Sequence, residues 1–261
     1  MDHGLYTAYL GMRSRQKALD VIANNIANAS NSGFKAERVI YQSVESSEIG
    51  ARVAMLPNKP SVNNQQNPDP TFASSHGREV GLVAGTVADF SAGTVRQTGR
   101  SLDVALSGDG MLVVQTSQGE RYTRAGTLEI NSDGQLVTTG GDLVVGQKGA
   151  ITLPNTEVSI SENGTISTAG QEIDKLKIVR FDNPTEALYK EGRNLFAATE
   201  SPKTDNSTRV VQNSLEMSNV DTMNEMAAML HNSREFDSLQ RSITTMMNDI
   251  GRKVANELGR I

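Results

Sequence analysis

The side chains most able to do chemistry are widely spaced along this chain of 261 residues. The three histidines are His3, His76 and His231, and cysteine is absent, which excludes thiolate catalysis and thiolate metal sites. His231 lies in a helical pattern without a second ligand nearby, so a surface or interface role is favoured over metal binding. Residues 131–134, NSDG, lack the ligand ladder of a calcium loop and predict a hairpin turn. These residues predict a non-enzymatic protein with no cofactor and no metal.

A second concentration of polar side chains lies in VIANNIANASNSGFK, residues 21–35. Here Asn24, Asn25, Asn28 and Asn31 interrupt an apolar helical pattern. Asparagine is a poor residue for a helix interior because its amide competes for backbone hydrogen bonds. We therefore expect something other than helix formation to use these amides.

Two long helical patterns, one at each end of the chain, must position these residues. Over 5–29 apolar residues recur at alternating spacings of three and four, as in a coiled-coil seam, and Gly33 predicts the stop. A second pattern predicts a helix over about 221–258, with Thr222 and Glu225 as a capping box. Neither helix can bury its seam alone, so we expect the two to pair as a coiled coil. The predicted seam residues are Leu5, Met12, Leu19, Ile22, Ile26, Met229, Phe236, Leu239, Ile243 and Ile250.

Two features of these helices have alternative interpretations. Arg15 interrupts the N-terminal seam, and its side chain either extends to solvent or pairs with Glu235 or Asp237 of the C-terminal helix. The C-terminal helix is also rich in methionine, which fills irregular gaps in ordinary cores. The same adaptability suits a helix that meets several slightly different neighbours in an assembly, and that interpretation is favoured if the chain assembles.

The residues between the helices predict an inserted all-β domain. Short apolar runs over 80–200 alternate with the turn signals SGDG, SDGQ, TTGG and ENGT, which predict hairpins. The preceding segment opens with a possible strand, FKAERVIYQSV, and continues as a polar arm that holds four of the seven prolines. The predicted fold class is α+β, mainly β, with a helix at 1–33, an arm at 34–79, a β domain at 80–200, a linker at 201–220 and a helix at 221–261.

Composition excludes several classes of protein. A net charge of −5 without a basic run disfavours nucleic acid as a partner. No segment approaches the roughly 18 consecutive apolar residues of a membrane span, so the chain is not expected to be membrane-embedded. Residues 1–20 lack the apolar run of a signal peptide, so we expect the chain to stay in the cytoplasm or to leave without a cleaved signal.

Three segments resemble the bacterial flagellar axial proteins, the family of rod, hook and hook-associated subunits. LDVIANNIANASNSGFKAERV is similar to the family's N-terminal signature, and LEMSNVDTMNEMAAMLHNSREFDSLQRSI to its second signature. GRSLDVALSGDGMLVVQTSQGERYTRAGTLEINSDGQLVT is similar to the β domain of rod and hook proteins. Ser30 and Asn31 occupy a neighbourhood that usually holds threonine, which is a mild departure. Within the family the chain is most similar to the proximal rod subunit, with the distal rod subunit or another hook-family axial subunit as the alternative. The signature residues expected to make contacts are Asn24, Asn25, Asn28, Gly33, Phe34, Glu216, Ser218 and Asn219.

The resemblance implies a structural subunit of the flagellar basal-body rod. Its partners would be copies of itself, other rod and axial proteins, and the flagellar type III export apparatus. The assembled subunits would form a periplasmic drive shaft that transmits torque and encloses part of the export channel. Asn24, Asn25 and Asn28 would then bond the backbone of the arm that begins at Phe34, or a neighbouring subunit. Replacing Asn24 or Asn28 by alanine is predicted to impair assembly.

Two other classes of protein are less well supported by the residues. A secreted β-domain binding module would need an exposed aromatic platform, and the chain has 5 Tyr, 6 Phe and no Trp. A peptidoglycan hydrolase would need paired carboxylates or a metal-ligand set, and the sequence offers neither in a recognisable spacing.

Overall fold

The computed structural model describes residues 2–45, 80–154 and 158–258. Most of the predicted arm, residues 46–79, therefore lies outside the described residues, as does His76. Described residues of 1–22, 39–86 and 227–261 form one compact unit, here called the terminal unit. Those of 23–38 and 87–226 form a second, here called the β unit.

Three helices and eighteen strands occur in the described ranges, which confirms the α+β, mainly β fold class. The helices are α1 Asp2–Ala27, α2 Pro184–Ala187 and α3 Thr222–Leu258. The strands are β1 Glu37–Glu45, β2 Val80–Ala88, β3 Val95–Gln97, β4 Val104–Ser107, β5 Met111–Thr116, β6 Gly119–Thr123, β7 Leu128–Ile130, β8 Leu136–Thr138, β9 Leu143–Val144, β10 Val158–Ile160, β11 Thr165–Thr168, β12 Gln171–Lys175, β13 Ile178–Arg180, β14 Leu188–Gly192, β15 Leu195–Ala198, β16 Lys203–Thr204, β17 Arg209–Gln212 and β18 Ser214–Glu216.

The start of α3 differs in detail from the prediction. Asp221, not Thr222, caps the helix, because its Oδ1 accepts the backbone N–H groups of Met223 at 3.0 Å and Asn224 at 3.2 Å. The prediction that Thr222 and Glu225 form a capping box is therefore wrong. An aspartate directly before the helix satisfies the free N–H groups, which leaves the Glu225 carboxylate available for another contact.

Within the terminal unit, α1 and α3 contact each other. Arg15 Nε lies 2.9 Å from Glu235 Oε2, and Arg15 Nη1 donates to Asn232 Oδ1 at 3.2 Å. A Cβ built on Gly11 would lie 3.6 Å from Leu239 Cδ1. Residue numbers rise along α1 as they fall along α3, so the helices run antiparallel at these contacts. Of the two interpretations of Arg15, the structure contains the ion pair with Glu235.

The buried face of α1 lies beside the predicted seam rather than on it. In the terminal unit its most buried side chains are Ser14, Ala18, Val21 and Ile22. Of the predicted seam residues whose side chains the structure describes, which leaves out Leu5, only Ile22 belongs to this set. Those half-buried are Met12, Leu19, Ile26, Met229, Phe236, Leu239, Ile243 and Ile250. Small residues such as serine and alanine let another backbone approach closely, a signal that a search for large apolar residues does not detect.

The β unit contains one large sheet and several small ones. The large sheet has the order β14-β15-β6-β5-β9-β8-β7, with β13 pairing both β5 and β16. Strands β10, β11 and β12 form a three-stranded sheet, β17 pairs with β4, and β18 pairs with β3. Strands β1 and β2, most of whose residues belong to the terminal unit, form a separate two-stranded sheet, so the strand predicted in FKAERVIYQSV is confirmed.

The hairpin predictions hold at three of the four turn signals. Residues 132–135, 138–141 and 162–165 each join neighbouring antiparallel strands. The SGDG turn at 107–110 is the exception, because β4 pairs with β17 and not with β5. Thr208, just before β17, accepts the Gly110 N–H at 2.9 Å, which brings a distant segment against this turn.

Residues 201–220, expected to be a linker, contain β16, β17 and β18. These strands are two to four residues long, and only one side chain of β17, Val210, is buried, so they carry little apolar signal. Val210 belongs to the larger of two apolar clusters of the β unit, which also contains Leu128, Leu136 and Ile166. The smaller cluster is built around Phe196.

Candidate functional site

The segment after α1 turns onto the β unit at Gly33. The φ angle of Gly33 is +66°, and a Cβ added there would lie 2.3 Å from the backbone N of Ala125. Only glycine fits this position, because the close neighbour is backbone and cannot rotate away. The Gly33 N–H donates to the backbone carbonyl of Glu216 at 2.7 Å. The two signature segments, far apart in sequence, thus meet directly.

Beside this turn lies a buried ion pair between the two signatures. Lys35 Nζ donates to Glu216 Oε1 at 2.7 Å, and the two side chains are 0% and 2% exposed. The Glu216 Oε1 atom also accepts the N–H of Gly93 at 3.0 Å, and Lys35 Nζ donates to the carbonyl of Ser91 at 2.7 Å. Arg124 Nε lies 3.5 Å from Glu216 Oε2. The carboxylate is therefore held between two cations in a water-poor environment.

Burial dominates the electrostatics of both cations. It lowers the pKa of Lys35 below its ordinary value, against the opposing hydrogen bond and charge of Glu216. Burial likewise lowers the pKa of Arg124, again opposed by Glu216. A buried charge left here without its partner would lower the free energy of unfolding, so the folded chain needs the cations and the carboxylate in place at the same time.

Asn25 joins the end of α1 to the start of β1. Its Nδ2 donates to the Glu37 carbonyl at 2.8 Å, and its Oδ1 accepts the Glu37 N–H at 2.9 Å. The same Nδ2 donates to Glu225 Oε1 of α3 at 3.1 Å. Asn25 is 1% exposed. This buried amide uses both of its polar ends to bond the backbone that follows Phe34.

Asn219, in the C-terminal signature, also uses both ends of its amide to bond other segments. Its Oδ1 accepts the Ala36 N–H at 2.8 Å, and its Nδ2 donates to the Asp89 carbonyl and to Ser91 Oγ, both at 2.9 Å. Burial raises the pKa of Asp89, but hydrogen bonds from Ser91 and the charge of Arg38 outweigh it, so this pKa lies below its ordinary value. One amide therefore ties the start of the arm to the loop after β2.

Phe34 is buried under a lysine that is itself paired. Lys190 Nζ lies 3.7 Å from the centroid of the Phe34 ring and 3.0 Å from Glu37 Oε1. A cation above an aromatic face adds roughly 0.5–2 kcal/mol when it is shielded from water. We call Asn25, Gly33, Lys35, Glu216 and Asn219 the signature junction.

Three of the signature residues expected to make contacts, Asn24, Asn28 and Ser218, make local contacts instead. Asn28 Nδ2 donates to the Asn24 carbonyl at 2.8 Å, and Asn31 Nδ2 donates to Asn28 Oδ1 at 2.7 Å, all at the exposed end of α1. The last carbonyls of a helix need such donors, which is why asparagine suits this place. Ser218 Oγ accepts the N–H of Val220 at 3.2 Å and is a local turn contact. Of these asparagines, Asn25 bonds the described part of the arm, residues 34–45, and no such bond from Asn24 or Asn28 occurs among the described residues.

Sequence reasoning missed three contributors to this region. Lys35 matched the N-terminal signature but was assigned no contact, although a lysine directly after Gly-Phe was the available signal. Glu225 was assigned to a capping box. Arg124 carried no signal, because nothing in the spacing of an arginine within β-domain residues indicates that it will be buried.

The arrangement holds the two signature segments together through hydrogen bonds and ion pairs. In the three described ranges, no group of three or more His, Asp or Glu side chains is placed to hold a metal ion. His231 is exposed, with its Nε2 3.3 Å from Glu235 Oε1. No helix among the described residues is long and apolar enough to cross a membrane.

Comparison with protein-family models places these segments in flagellar subunits. Residues 5–35 match the model "Flagella basal body rod protein", residues 105–168 match "Flagellar hook protein FlgE/F/G D1 domain", and residues 211–252 match "Flagellar basal body rod FlgEFG protein C-terminal". The first and third ranges contain the two halves of the signature junction.

Relatives match over nearly the whole chain. The flagellar basal-body rod protein FlgG of Bacillus subtilis is 32% identical over 94% of this chain and 95% of its own length. The rod protein FlgF of Salmonella typhimurium is 31% identical over 99% and 98%. FlgF of Caulobacter vibrioides is 28% identical over the full length of both chains. The chain belongs to the flagellar basal-body rod protein family.

Proposed function

We propose that this protein is a structural subunit of the flagellar basal-body rod. Relatives named FlgF and FlgG match at similar identity and coverage, so the proposal is made for a rod subunit. The proximal position suggested by the sequence stays a prediction. Its partners in the rod are copies of itself and other axial subunits.

The observation that carries this proposal is the distribution of exposed apolar side chains. Among the described residues, two of the ten large exposed apolar side chains, Val95 and Val211, lie on strands of the β unit. The others lie on α1, β1 and α3. They are Tyr9, Ile40, Tyr41, Met223, Met226, Leu230, Met246 and Met247. Apolar surface of this kind marks a place where another protein binds, and here it lies on the elements that carry the family signatures.

We further propose that α1 and α3 pair as a coiled coil whose incomplete burial is completed by neighbouring subunits. The antiparallel contacts of Arg15 with Glu235 and of Gly11 with Leu239 support the pairing. The half-buried seam residues support the second step, because apolar groups that stay partly exposed in one chain gain free energy when a neighbour covers them. Transmission of torque, a role in the export channel and passage through the type III apparatus belong to the same proposal.

The test is a charge on the seam. Ile243→Asp, introduced at the gene's own locus, is expected to abolish swimming and to leave rods incomplete, because it places a carboxylate where a neighbour must pack. Thr244→Asp is the matched control, since Thr244 is exposed on the next position of the same helix. Purified Ile243→Asp protein should keep the circular dichroism of the β unit. Normal swimming of the Ile243→Asp strain would contradict the proposal.

A further inference from the structure

The buried Lys35–Glu216 ion pair has a direction imposed by its surroundings. The ammonium faces a carbonyl oxygen, that of Ser91 at 2.7 Å. The carboxylate faces a backbone N–H, that of Gly93 at 3.0 Å, and the guanidinium of Arg124 at 3.5 Å. Reversing the pair would place a carboxylate against a carbonyl and an ammonium against an N–H group and a second cation.

Stability alone does not account for this pair. Replacing both members of a buried ion pair by apolar residues of similar size is often neutral or stabilising, whereas removing one member is strongly destabilising. The pair instead restricts geometry. Its hydrogen bonds and charges are all matched in one arrangement of four segments, those around residues 35, 91–93, 124 and 216. An apolar pair would pack here without that restriction.

We propose that Lys35–Glu216 is a directional lock that fixes one docking geometry of the N-terminal signature, residues 24–37, on the β unit. The lock acts within a single chain and does not depend on rod assembly. An apolar pair preserves the fold but loses the unique geometry, and a reversed pair does not dock.

The experiment uses four variants of the full-length chain: Lys35→Met, Glu216→Met, the Lys35→Met/Glu216→Met double variant and the reversed Lys35→Glu/Glu216→Lys. Amide hydrogen exchange is followed at Gly33, whose N–H donates to the Glu216 carbonyl, and at Ala36, whose N–H donates to Asn219 Oδ1. Urea unfolding reports on the β unit, and amide resonances over 24–37 count the conformations present.

Each single variant is expected to speed exchange at Gly33 and Ala36 on the order of 100-fold, because the remaining member of the pair loses the charge that it faces at 2.7 Å. The apolar double variant should recover part of the unfolding midpoint that the single variants lose, since Arg124 then lacks its carboxylate partner, yet show more than one set of resonances over 24–37. The reversed variant should exchange at least as fast as the single variants. The control reverses Lys177–Glu120, an exposed pair with the same 2.7 Å separation, and should change nothing at Gly33 or Ala36.

Two outcomes would overturn the lock. Wild-type protection of Gly33 and Ala36 in the reversed variant would show that the pair has no required direction. A single set of wild-type resonances in the apolar double variant would show that the pair is not needed for unique docking. If the reversed variant fails to fold, the apolar double variant decides the matter by itself.

Discussion

The β unit and the terminal unit bury their apolar side chains to very different extents. In the β unit Val113, Leu128 and Phe196 are fully shielded from water. In the terminal unit the described apolar side chains that reach comparable burial are Ala18, Val21 and Ile22, all on α1. The β unit therefore holds a core of its own, whereas the terminal unit presents apolar surface that the described residues do not cover. Under the proposed function, stability of the chain and capacity for assembly would reside in different parts of one sequence.

The largest effect expected from this difference comes from one substitution made in each unit. Leu128→Ala should lower the free energy of unfolding of the β unit by about 4 kcal/mol, because Leu128 is 0% exposed and the lost side chain leaves a cavity. Leu230→Ala, on α3 where the leucine is 62% exposed, should change it by less than about 0.5 kcal/mol. Urea unfolding followed by circular dichroism measures both.

In living cells the exposed position, which matters little for stability, is expected to matter for swimming. Leu230→Ala should reduce swimming although the purified protein is as stable as the wild type. Equal destabilisation by the two substitutions would remove the distinction between a self-sufficient core and an assembly surface.

A second comparison contrasts two glycines of the β unit that both adopt positive φ. Gly33→Ala is expected to cost about 3 kcal/mol, because the added Cβ meets the backbone of Ala125 as well as an unfavourable φ. Gly99→Ala has nothing within 4 Å of its Cβ and should cost about 1 kcal/mol from φ alone. Urea unfolding gives both values. Similar losses would mean that the N-terminal signature does not rest on Ala125.

The helices, the hairpin at 131–134, the Gly33 turn and β17 show how much of the structure the sequence predicts. The two long helices and the NSDG hairpin at 131–134 are predicted from local spacing and are present in the structure, although the buried face of α1 lies beside the predicted seam. The bond of Gly33 to Glu216 joins residues remote in sequence, and only the family resemblance connected the two segments. β17 escaped prediction because four residues with one buried side chain give no measurable alternation.

A third comparison uses two asparagines of one stretch. Asn25→Ala should cost about 2 kcal/mol, because it leaves the partly buried N–H and C=O of Glu37 without the amide that satisfies them. Asn28→Ala removes exposed contacts to Asn24 and gains helix propensity, so its net effect should lie within about 0.5 kcal/mol. Urea unfolding and hydrogen exchange at Glu37 test this difference. The assembly defect predicted for Asn28→Ala then requires a neighbouring subunit, and swimming tests it separately.

The smallest expected effect is the pH dependence of stability that comes from Asp205, in the turn before β17. Burial raises the pKa of Asp205, but hydrogen bonds from the side chains and backbone of Ser207 and Thr208 outweigh it, so the pKa lies below its ordinary value. The unfolded chain therefore binds this proton more tightly than the folded chain. The stability contributed by Asp205 is present above about pH 4 and is lost as the pH falls through the lower folded pKa.

Asp205→Asn should thus cost about 1 kcal/mol at pH 7 and progressively less as the pH falls below about 4, where the wild type has lost the same contribution. Urea midpoints at a series of pH values measure the difference. Asp182 is the control, because the Lys203 hydrogen bond and charge lower its pKa at an exposed site. Salt at about 0.5 M should screen the Asp182–Lys203 pair and so reduce the stability lost in Asp182→Asn, but it should not change the stability lost in Asp205→Asn. A salt-sensitive Asp205 effect would mean that charge, not the buried hydrogen bonds of the β unit, holds this turn.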